Sequence, residues 1–484
     1  MIPTEEQQAI IDAYRTGRNL VIEAGAGTGK TTTLKMLGAD KPGRKGIYIA
    51  YNKAIATDAK RSFPAGVQCA TAHSFAYGAV GRMFRHRLNG PRIPAAQTAK
   101  TLGITKPLTV TGGTILAPQQ IARLVMETVQ RFCRSADRAP SGYHVPHKSG
   151  LDTPECLAVL REALPPLAAT AWDDLTSTDG QLRFDHDVYL KLWQLSGPRL
   201  PADYVLLDEA QDANPVIAAI VESQSHAQLI AVGDRCQAIY GWRGAVDAMA
   251  SFPADVRLPL AQSFRFGPAV ADEANKWLGI LHAGPRLRGY DRINSAVTTM
   301  SAARTVLCRT NAKAMSEAMN AMATSTRKVA ITGGGREILA LAEAAITLKA
   351  GTGTSHPELF AFRTWGEVQD YAENDPGGSD LQVLVKLIDE HGPETIIDAA
   401  RRLSDERYAD LIISTAHKAK GREWDSVRIA EDFREPKKDP EKPDELPKIS
   451  PPEAMLAYVA VTRAKLTLDR SGLAWVDKYA EAAP

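Results

Sequence analysis

A glycine-rich segment between an apolar run and a helix-forming run constrains the fold of this chain more than any other feature. Residues 24–31 read Ala-Gly-Ala-Gly-Thr-Gly-Lys-Thr, follow the apolar run Leu20–Ile22 and precede the segment Thr32–Leu37. Strand, glycine-rich turn and helix is the order that a phosphate-binding loop requires. Glycines let backbone N–H groups converge on phosphate oxygens, and the N-terminal end of the following helix attracts the same anion. The pattern therefore predicts an α/β domain that binds a nucleoside triphosphate.

The end of this loop carries two side chains suited to a magnesium-bound triphosphate. The Lys30 amino group can reach the β- and γ-phosphates, and the Thr31 hydroxyl can bind Mg²⁺. A glycine-rich turn without a ligand is the alternative, because short motifs also arise by chance. The residues that we expect at the nucleotide are Ala24, Gly25, Ala26, Gly27, Thr28, Gly29, Lys30, Thr31 and Thr32.

The composition excludes several classes of protein. The chain has 484 residues and a net charge of only +2, so any nucleic-acid surface must be local. Its five cysteines lie far apart without a Cys-x-x-Cys pair, which predicts neither a zinc site nor an iron–sulfur cluster. The N-terminus lacks the pattern of a signal peptide, and no apolar run approaches the roughly 20 residues of a membrane span. We therefore expect a soluble intracellular protein without a membrane partner.

Short apolar runs typical of buried parallel strands alternate with helical segments in two parts of the chain. Between these parts, over about residues 78–198, helical patches such as Ile121–Phe132 and Glu155–Glu162 are separated by loops with proline and glycine. The pattern breaks again over about residues 351–405. We expect two α/β domains with parallel sheets flanked by helices, each interrupted by a mostly helical insertion. The apolar runs are Gly46–Tyr51, Tyr204–Leu207, Leu229–Val232, Thr305–Cys308, Val329–Ile331, Leu411–Ser414 and Val427–Ile429.

Arginines concentrate in the first insertion. A solvated face and a nucleic-acid surface are equally consistent with this concentration, and both interpretations stay open. The arginines are Arg82, Arg85, Arg87, Arg92, Arg131, Arg134 and Arg138.

A cluster of carboxylates follows the predicted strand Tyr204–Leu207, which ends in Asp208-Glu209-Ala210-Gln211-Asp212. Ligands of open α/β sheets bind beyond the carboxyl ends of the strands. Asp208 can hold Mg²⁺ there, opposite Thr31, and Glu209 can orient and deprotonate an attacking water. A solvated acidic loop is the alternative, but an apolar strand that leads directly into Asp-Glu argues against it.

Together with the glycine-rich loop, the segment Asp208–Asp212 resembles superfamily 1A DNA helicases of the UvrD/Rep type. Further blocks match that family in order over nearly the whole chain. In motif detail the segments Tyr51–Ala56, Gln262–Gly267 and Trp424-Asp425 are more similar to the F-box DNA helicase branch. The loop begins within the first thirty residues, so we expect no F-box before it.

The resemblance implies two RecA-like P-loop domains, each with an insertion. The second insertion is expected to be reduced, because the large UvrD enzymes have a much longer segment there. The predicted division is 1–80 with 199–260 for the first RecA-like domain, 81–198 for its helical insertion, 261–340 with 406–484 for the second, and 341–405 for the reduced insertion.

The resemblance also implies roles for residues outside the loop. An amide can donate to and accept from the adenine edge, which suits Gln7. Family members usually carry Tyr-Arg where this chain has Phe264-Arg265, and phenylalanine retains the ring that would stack on adenine. The residues expected to contact the γ-phosphate are Gln237, Arg265 and Arg463, and those expected to contact the nucleoside are Gln7, Phe264 and Glu423, the last at the ribose hydroxyl.

Six residues are expected to contact DNA by the same resemblance. Aromatic faces stack on any base for about 1–3 kcal/mol, which suits Trp242 in its Gly-Trp-Arg-Gly turn. A core tryptophan is the alternative there, and His73 on its own would be an ordinary surface histidine. The expected DNA contacts are Asn52, Lys53, His73, Trp242, Arg243 and His417.

These implications predict an ATP- and Mg²⁺-dependent helicase or translocase that moves on single-stranded DNA, 3′ to 5′, and meets junctions with duplex DNA. Its setting would be repair, recombination or replication in the cytoplasm, associated with a bacterial or phage-type nucleoid. Two alternatives stay open. One is a translocase that strips proteins from single-stranded DNA and unwinds weakly, as an anti-recombinase does. The other is a P-loop ATPase switch with a protein partner in a repair or defence complex.

Overall fold

The computed structural model of the protein describes residues 2–88, 90–91, 93–110, 114–239, 248–284, 286–374, 381–438 and 445–480. The chain divides into two units. The first unit comprises Met1–Ala24 and Lys30–Leu260, and the second comprises Gly25–Gly29 and Ala261–Pro484.

Eight strands of the first unit lie in the described residues. They are β1 (Leu20–Ala24), β2 (Gly46–Ala50), β3 (Val67–Thr71), β4 (Leu108–Thr109), β5 (Ile115–Leu116), β6 (Tyr204–Leu207), β7 (Gln228–Gly233) and β8 (Val256–Leu260). Six of them form a parallel sheet in the order β3-β2-β6-β7-β1-β8. Every residue of β2, β6 and β7 is buried, as expected for strands covered by helices on both faces.

Several helices of the first unit begin at residues whose side chains cap them. The Thr4-x-x-Gln7 pattern is typical of a helix start, and Thr4 and Gln7 form a capping box at the start of α1. Asn52 and Asp185 cap two further helices through their side chains. The helices are α1 (Glu5–Arg15), α2 (Lys30–Asp40), α3 (Lys53–Ser62), α4 (Ala72–Ala79), α5 (Ala95–Thr101), α6 (Pro118–Phe132), α7 (Pro154–Thr176), α8 (His186–Leu195), α9 (Pro215–Glu222) and α10 (Ala248–Ser251).

Helix α7 corrects one sequence-based expectation. A short patch over Glu155–Glu162 was expected to end at a proline-containing loop, but the helix continues through Pro165 and Pro166 to Thr176. Two prolines remove two backbone donors from a helix interior. Leu164 and Ala168 on either side of them are fully buried, and α7 packs against α6. Tertiary packing therefore outweighs the local cost of the prolines.

The second unit repeats the parallel architecture. Its described strands are β9 (Ala296–Val297), β10 (Thr305–Cys308), β11 (Val329–Ile331), β12 (Leu411–Thr415), β13 (Trp424–Ile429) and β14 (Ala464–Asp469). They form one sheet in the order β11-β12-β10-β13-β14-β9, and all of its pairs are parallel. Its described helices are α11 (Pro268–Ile280), α12 (Asn311–Thr324), α13 (Arg336–Lys349), α14 (Trp365–Asn374), α15 (Gln382–His391), α16 (Pro393–Arg401), α17 (Ala416–Ala419), α18 (Pro451–Val461) and α19 (Asp477–Ala480).

The predicted reduced insertion, 341–405, is helical wherever it has regular structure in its described residues. Trp365 of α14 and Ile388 of α15 share one hydrophobic core with the strand residues Val306 and Ile413. The predicted boundary at 340 lies inside α13, so a helix rather than a loop crosses it. The division into domains and insertions stays a prediction.

Two parallel sheets flanked by helices confirm the expected α/β class and are consistent with two RecA-like domains. All five cysteines are buried and free of disulfides. Among the helices that the structure describes, none has both the length and the apolar character needed to cross a membrane.

Candidate nucleotide site and nucleic-acid interface

The glycine-rich loop has the geometry that its sequence predicted. Ala24 ends β1 and Lys30 begins α2, so strand, turn and helix follow one another directly. Gly27 and Gly29 have φ angles of 75° and 77°, which L side chains rarely adopt. Lys30, Thr31 and Thr32 form the first turn of α2, where backbone N–H groups attract an anion. The other residues predicted at the nucleotide lie in the turn between β1 and α2 and are Gly25, Ala26 and Thr28.

Close contacts require glycine at position 27 as well. Residues Gly25–Gly29 belong to the second unit, and there the Gly27 carbonyl accepts from the Phe264 N–H at 2.8 Å. A Cβ atom on Gly27 would lie 2.6 Å from the Cβ atom of Arg265. Both the backbone angle and this close approach therefore exclude a side chain at position 27.

Lys30 forms an ion pair with Glu209. Its Nζ atom lies 2.8 Å from Oε2 of Glu209, with both side chains mostly buried. Burial alone would lower the pKa of Lys30, but the carboxylates of Glu209, Asp208 and Asp234 outweigh it, and the pKa is raised. Lys30 is therefore cationic at neutral pH and suited to phosphate.

Asp208 is a buried carboxylate held by two donors. Burial and then the neighbouring Glu209 raise its pKa to about 6, against the opposing effects of Lys30 and Tyr48. The Tyr48 hydroxyl donates to Oδ2 at 2.5 Å, and the Glu209 N–H donates to Oδ1 at 2.9 Å. An oriented carboxylate beside a second carboxylate fits a hard cation such as Mg²⁺, which prefers oxygen ligands.

Glu209 adopts an unusual backbone conformation. Its φ angle is 49° and its ψ angle is 45°, a left-handed conformation that costs a non-glycine residue about 1–3 kcal/mol. The Gln211 amide donates to its Oε2 at 2.7 Å. Strain of this kind concentrates at functional sites, which supports the choice of Glu209 as the candidate base.

A buried chain of hydrogen bonds continues from Glu209 to Gln237. Besides donating to Glu209, Gln211 accepts from the Asp234 N–H at 3.0 Å. Asp234 in turn accepts from Nε2 of Gln237 at 2.6 Å. Gly233 makes this possible, because a Cβ atom there would collide with the Gln211 amide oxygen. This series of hydrogen bonds joins the carboxyl ends of the neighbouring strands β6 and β7. Both ends are apolar runs followed by polar residues, and that signal could have indicated Gln211 and Asp234 as site residues from the sequence.

The predicted nucleoside contacts have partners within the protein. The Gln7 amide oxygen accepts from the Thr4 N–H at 3.0 Å, and its Nε2 donates to Thr33 Oγ1 at 3.1 Å. Phe264 is 42% exposed, and its ring centroid lies 5.6 Å from that of Tyr290. Phe264 therefore presents an accessible aromatic face, and the adenine roles of both residues stay predictions.

The two predicted γ-phosphate arginines of the second unit differ in exposure. Arg265 donates through Nε to Glu423 Oε2 at 2.7 Å and through Nη1 to the Thr462 carbonyl at 3.2 Å. The structure thus pairs the residue expected at phosphate with the one expected at ribose. Arg463 is 1% exposed, and its Nε donates to the Val459 carbonyl at 2.9 Å. Their roles at the γ-phosphate stay predictions.

The predicted DNA contacts lie at the starts of helices. Asn52 caps α3 by accepting from the Ile55 N–H at 3.0 Å, and both Asn52 and Lys53 are exposed. His73 lies in the first turn of α4 and His417 in α17, both half-buried. The remaining two predicted contacts, Trp242 and Arg243, lie outside the described residues.

A cavity of about 390 Å³ in the first unit connects the two sets of residues. Asp208 and Glu209 are among its lining residues, and so are His73 and Arg134. Asp187 bridges the latter pair, at 3.0 Å from Nε2 of His73 and 2.8 Å from Nε of Arg134. The two acidic residues and a predicted DNA-contacting residue therefore line the same cavity.

The structure distinguishes two of the arginines whose role the sequence left open. Arg87 is nearly buried and donates to the carbonyls of Leu175 and Leu182 at 3.0 and 2.9 Å, so it holds the loop between α7 and α8. Arg134 is 41% exposed and lines the cavity. Arg87 is therefore structural, whereas Arg134 is available to a ligand.

Comparisons with known proteins find similarity to DNA helicases. The family model described as UvrD/REP helicase N-terminal domain matches residues 193–255, and the UvrD-like helicase C-terminal domain matches residues 367–471. F-box DNA helicase protein 1 of Schizosaccharomyces pombe is 29% identical over 96% of this chain and 57% of its own length. F-box DNA helicase 1 of Gallus gallus is 30% identical over 96% of this chain and 48% of its own.

A shorter match is to a probable DNA helicase II homolog of Mycoplasma pneumoniae, 34% identical over 16% of this chain and 12% of its own length. The chain spans about half the length of the two F-box DNA helicases. Segments of it match the N-terminal and C-terminal domains of UvrD-like helicases, and its similarity to these proteins is consistent with the UvrD/Rep type of superfamily 1A.

Proposed function

We propose that the protein is an ATP-dependent DNA helicase or translocase that moves 3′ to 5′ on single-stranded DNA and engages junctions with duplex DNA, in repair, recombination or replication. The observation that carries this proposal is the buried ion pair between Lys30 and Glu209, next to Asp208 at the end of β6. In a chain with this similarity to UvrD-like helicases, the arrangement supports a site for ATP hydrolysis.

Each residue of this arrangement has a chemical role in the proposal. Bound Mg²⁺·ATP supplies the phosphoanhydride whose cleavage releases the energy. Thr31 and Asp208 would hold the metal ion, and Lys30 would neutralise phosphate charge. Glu209 would take a proton from the attacking water. Its ion pair with Lys30 and its bond from Gln211 support an ionised, oriented carboxylate.

Two features support coupling between hydrolysis and DNA. The hydrogen-bond chain from Glu209 reaches Gln237, which shortly precedes Trp242 and Arg243 in the sequence. The cavity shared by Glu209 and His73 offers a second connection within the first unit. We propose in addition that Arg265 and Arg463 stabilise transition-state charge, for which arginines elsewhere contribute on the order of 10³–10⁵ in rate.

The test combines two assays on the purified chain. ATP hydrolysis is measured with and without single-stranded DNA, and strand displacement is measured on duplexes with a 3′ or a 5′ single-stranded tail. We expect stimulation by DNA and displacement of the 3′-tailed duplex alone, both abolished in Lys30→Ala.

Other outcomes would contradict the proposal in distinct ways. DNA-stimulated hydrolysis without displacement would favour a translocase that strips proteins from single-stranded DNA. Partner binding that follows the nucleotide and ignores DNA would favour a P-loop switch. Displacement of the 5′-tailed duplex alone would overturn the polarity and leave the helicase assignment standing.

A further inference from the structure

A tyrosine in the middle of an apolar strand contacts the candidate metal ligand. Tyr48 lies in β2 and is fully buried. Its hydroxyl donates to Oδ2 of Asp208 at 2.5 Å. A short bond from a neutral hydroxyl to a carboxylate is among the stronger hydrogen bonds in proteins.

The sheet fixes the position of this hydroxyl. Tyr48 pairs with Leu206 across the parallel strands β2 and β6, and Asp208 follows Leu206 by two residues, on the same face. The Asp208 N–H donates to the Ile49 carbonyl at 3.2 Å, which continues the pairing to the carboxylate. The Tyr48 ring packs against Phe63 with centroids 4.6 Å apart. The hydroxyl therefore has little freedom to move away from Asp208.

The bond also determines how Asp208 is presented. Its Oδ1 accepts from the Glu209 N–H at 2.9 Å while Oδ2 accepts from Tyr48. One donor on each oxygen fixes the plane of the carboxylate, and each oxygen retains a further lone pair for another partner. Partners that orient a metal ligand in this way typically change metal affinity or activity 10–100-fold when removed.

We propose that Tyr48 is a positioning residue for Mg²⁺, which orients Asp208 toward the metal ion that accompanies the nucleotide. This inference rests on the proposed function. A hydroxyl that merely completes the hydrogen bonding of a buried core would stabilise the fold and leave metal binding unchanged.

The neighbouring strand supplies a matched control. Tyr204 begins β6 and is also fully buried. Its ring lies 5.5 Å from that of Tyr14 and 5.1 Å from the Arg44 guanidinium, among residues with no part in the proposed metal site. At either position, replacement by phenylalanine removes one buried tyrosine hydroxyl from this sheet.

The experiment measures binding at equilibrium. The dissociation constant of a fluorescent non-hydrolysable ATP analogue is determined with Mg²⁺ and with EDTA, for the unmodified chain, Tyr48→Phe, Tyr204→Phe and Asp208→Asn. The ratio of the two constants reports how much the metal ion strengthens binding. We expect this ratio to fall about 10–100-fold in Tyr48→Phe, with unchanged binding in EDTA, and to stay unchanged in Tyr204→Phe. Thermal unfolding of each variant without ligand separates effects on the fold.

An unchanged ratio in a folded Tyr48→Phe protein would overturn the inference. An equal fall in Tyr204→Phe would overturn it too, because any lost core hydroxyl would then suffice. If the unmodified chain bound the analogue equally with and without Mg²⁺, or if Asp208→Asn kept the full ratio, the proposed metal site itself would fail.

Discussion

The Nε atom of Arg265 lies 2.7 Å from the Oε2 atom of Glu423. The arginine follows a phenylalanine expected at adenine, and the glutamate belongs to a block 158 residues further along the chain. Glu423 remains 46% exposed on its side chain while Arg265 is 18% exposed. A carboxylate that contacts the ribose in the proposed site therefore also orients the arginine proposed for the γ-phosphate.

This pairing predicts that Glu423→Ala lowers kcat for ATP as well as raising KM. We expect a fall in kcat on the order of tenfold, equivalent to about 1.4 kcal/mol, because Arg265 loses the partner that orients it. Steady-state ATPase kinetics measure both constants. Glu423→Gln keeps an oxygen acceptor and should retain most of kcat. A change in KM alone would show that the glutamate binds ribose independently of Arg265.

Glu209→Gln should bind ATP and fail to hydrolyse it. The amide cannot take a proton, so we expect turnover to fall at least about 100-fold, within the range for removal of a general base. Its oxygen still accepts from Lys30, so the fold should persist. Equilibrium binding of a nucleotide analogue and a single-turnover hydrolysis assay test the two halves. A fully active variant would rule out Glu209 as the base.

Gly233→Ala should destabilise the first unit and disturb the candidate site together. The new methyl group would collide with the Gln211 amide oxygen and lie 2.6 Å from the Met249 sulfur. Overpacking of this kind costs about 1–3 kcal/mol, measurable as a lower midpoint of urea unfolding. Gly43→Ala is the control, since nothing lies within 4 Å of a Cβ atom there. Equal midpoints of unfolding for the two variants would show that a methyl group at position 233 is accommodated without cost.

Asp187→Asn should weaken the response to DNA and spare hydrolysis without it. Asp187 bridges His73 and Arg134, and the bonds from both hold its pKa low against the effect of its own burial. Without the charge, His73 and Arg134 lose the carboxylate that holds both of them. We expect the concentration of single-stranded DNA for half-maximal ATPase stimulation to rise on the order of tenfold, or about 1.4 kcal/mol.

Asp179→Asn, an exposed aspartate in the same insertion, is the control for this change. Should both variants respond to DNA as the unmodified chain does, the bridge has no part in DNA binding.

The buried amino group of Lys191 predicts a pH dependence of stability. It donates to the Ser135 carbonyl at 2.9 Å, and burial lowers its pKa from 10.5 to about 8 against the opposing effects of Cys133 and Asp137. Between those values the unfolded chain binds more protons at this group, so its contribution to the free energy of unfolding rises with pH. The rise is at most about 3 kcal/mol, since one pKa unit corresponds to about 1.4 kcal/mol.

Lys191→Met isolates this contribution. Denaturant unfolding of both proteins at pH 8 and pH 10.5 gives their difference in stability, from which other titrating groups cancel. We expect the free energy of unfolding of the unmodified chain to rise relative to that of the variant as the pH rises. A constant difference would show that Lys191 titrates at its usual pH.

The sequence predicted the central strands and the phosphate loop because both depend on local patterns. Tyr204–Leu207 is a continuous apolar run, and the glycines at 27 and 29 occupy the angles that the motif requires. The strands β3, β8 and β14 were missed, since their apolar residues alternate with polar ones or with Pro259. Edge strands such as β8 tolerate proline because their outer N–H groups need no partner in the sheet.

Individual site residues were predicted where a motif names them and missed where only the fold brings them together. Asp208 and Glu209 directly follow an apolar strand, and this local pattern is enough to predict them as site residues. Tyr48 reads as an ordinary core residue, because nothing near it in sequence reveals that Asp208 lies beside it. Asp187 is separated from His73 by 114 residues, so its role as a bridge depends on how the insertion packs.

The left-handed backbone at Glu209 sets stability against activity at a single position. Glycine occupies this conformation at little cost, so Glu209→Gly would relax the turn while it deletes the proposed base. Relief of this strain would offset part of the cost of losing the ion pair with Lys30, so a screen for thermostability alone would not protect the proposed base at position 209. An attempt to make this chain more resistant to heat while it keeps the proposed activity has to select for turnover and thermal stability together.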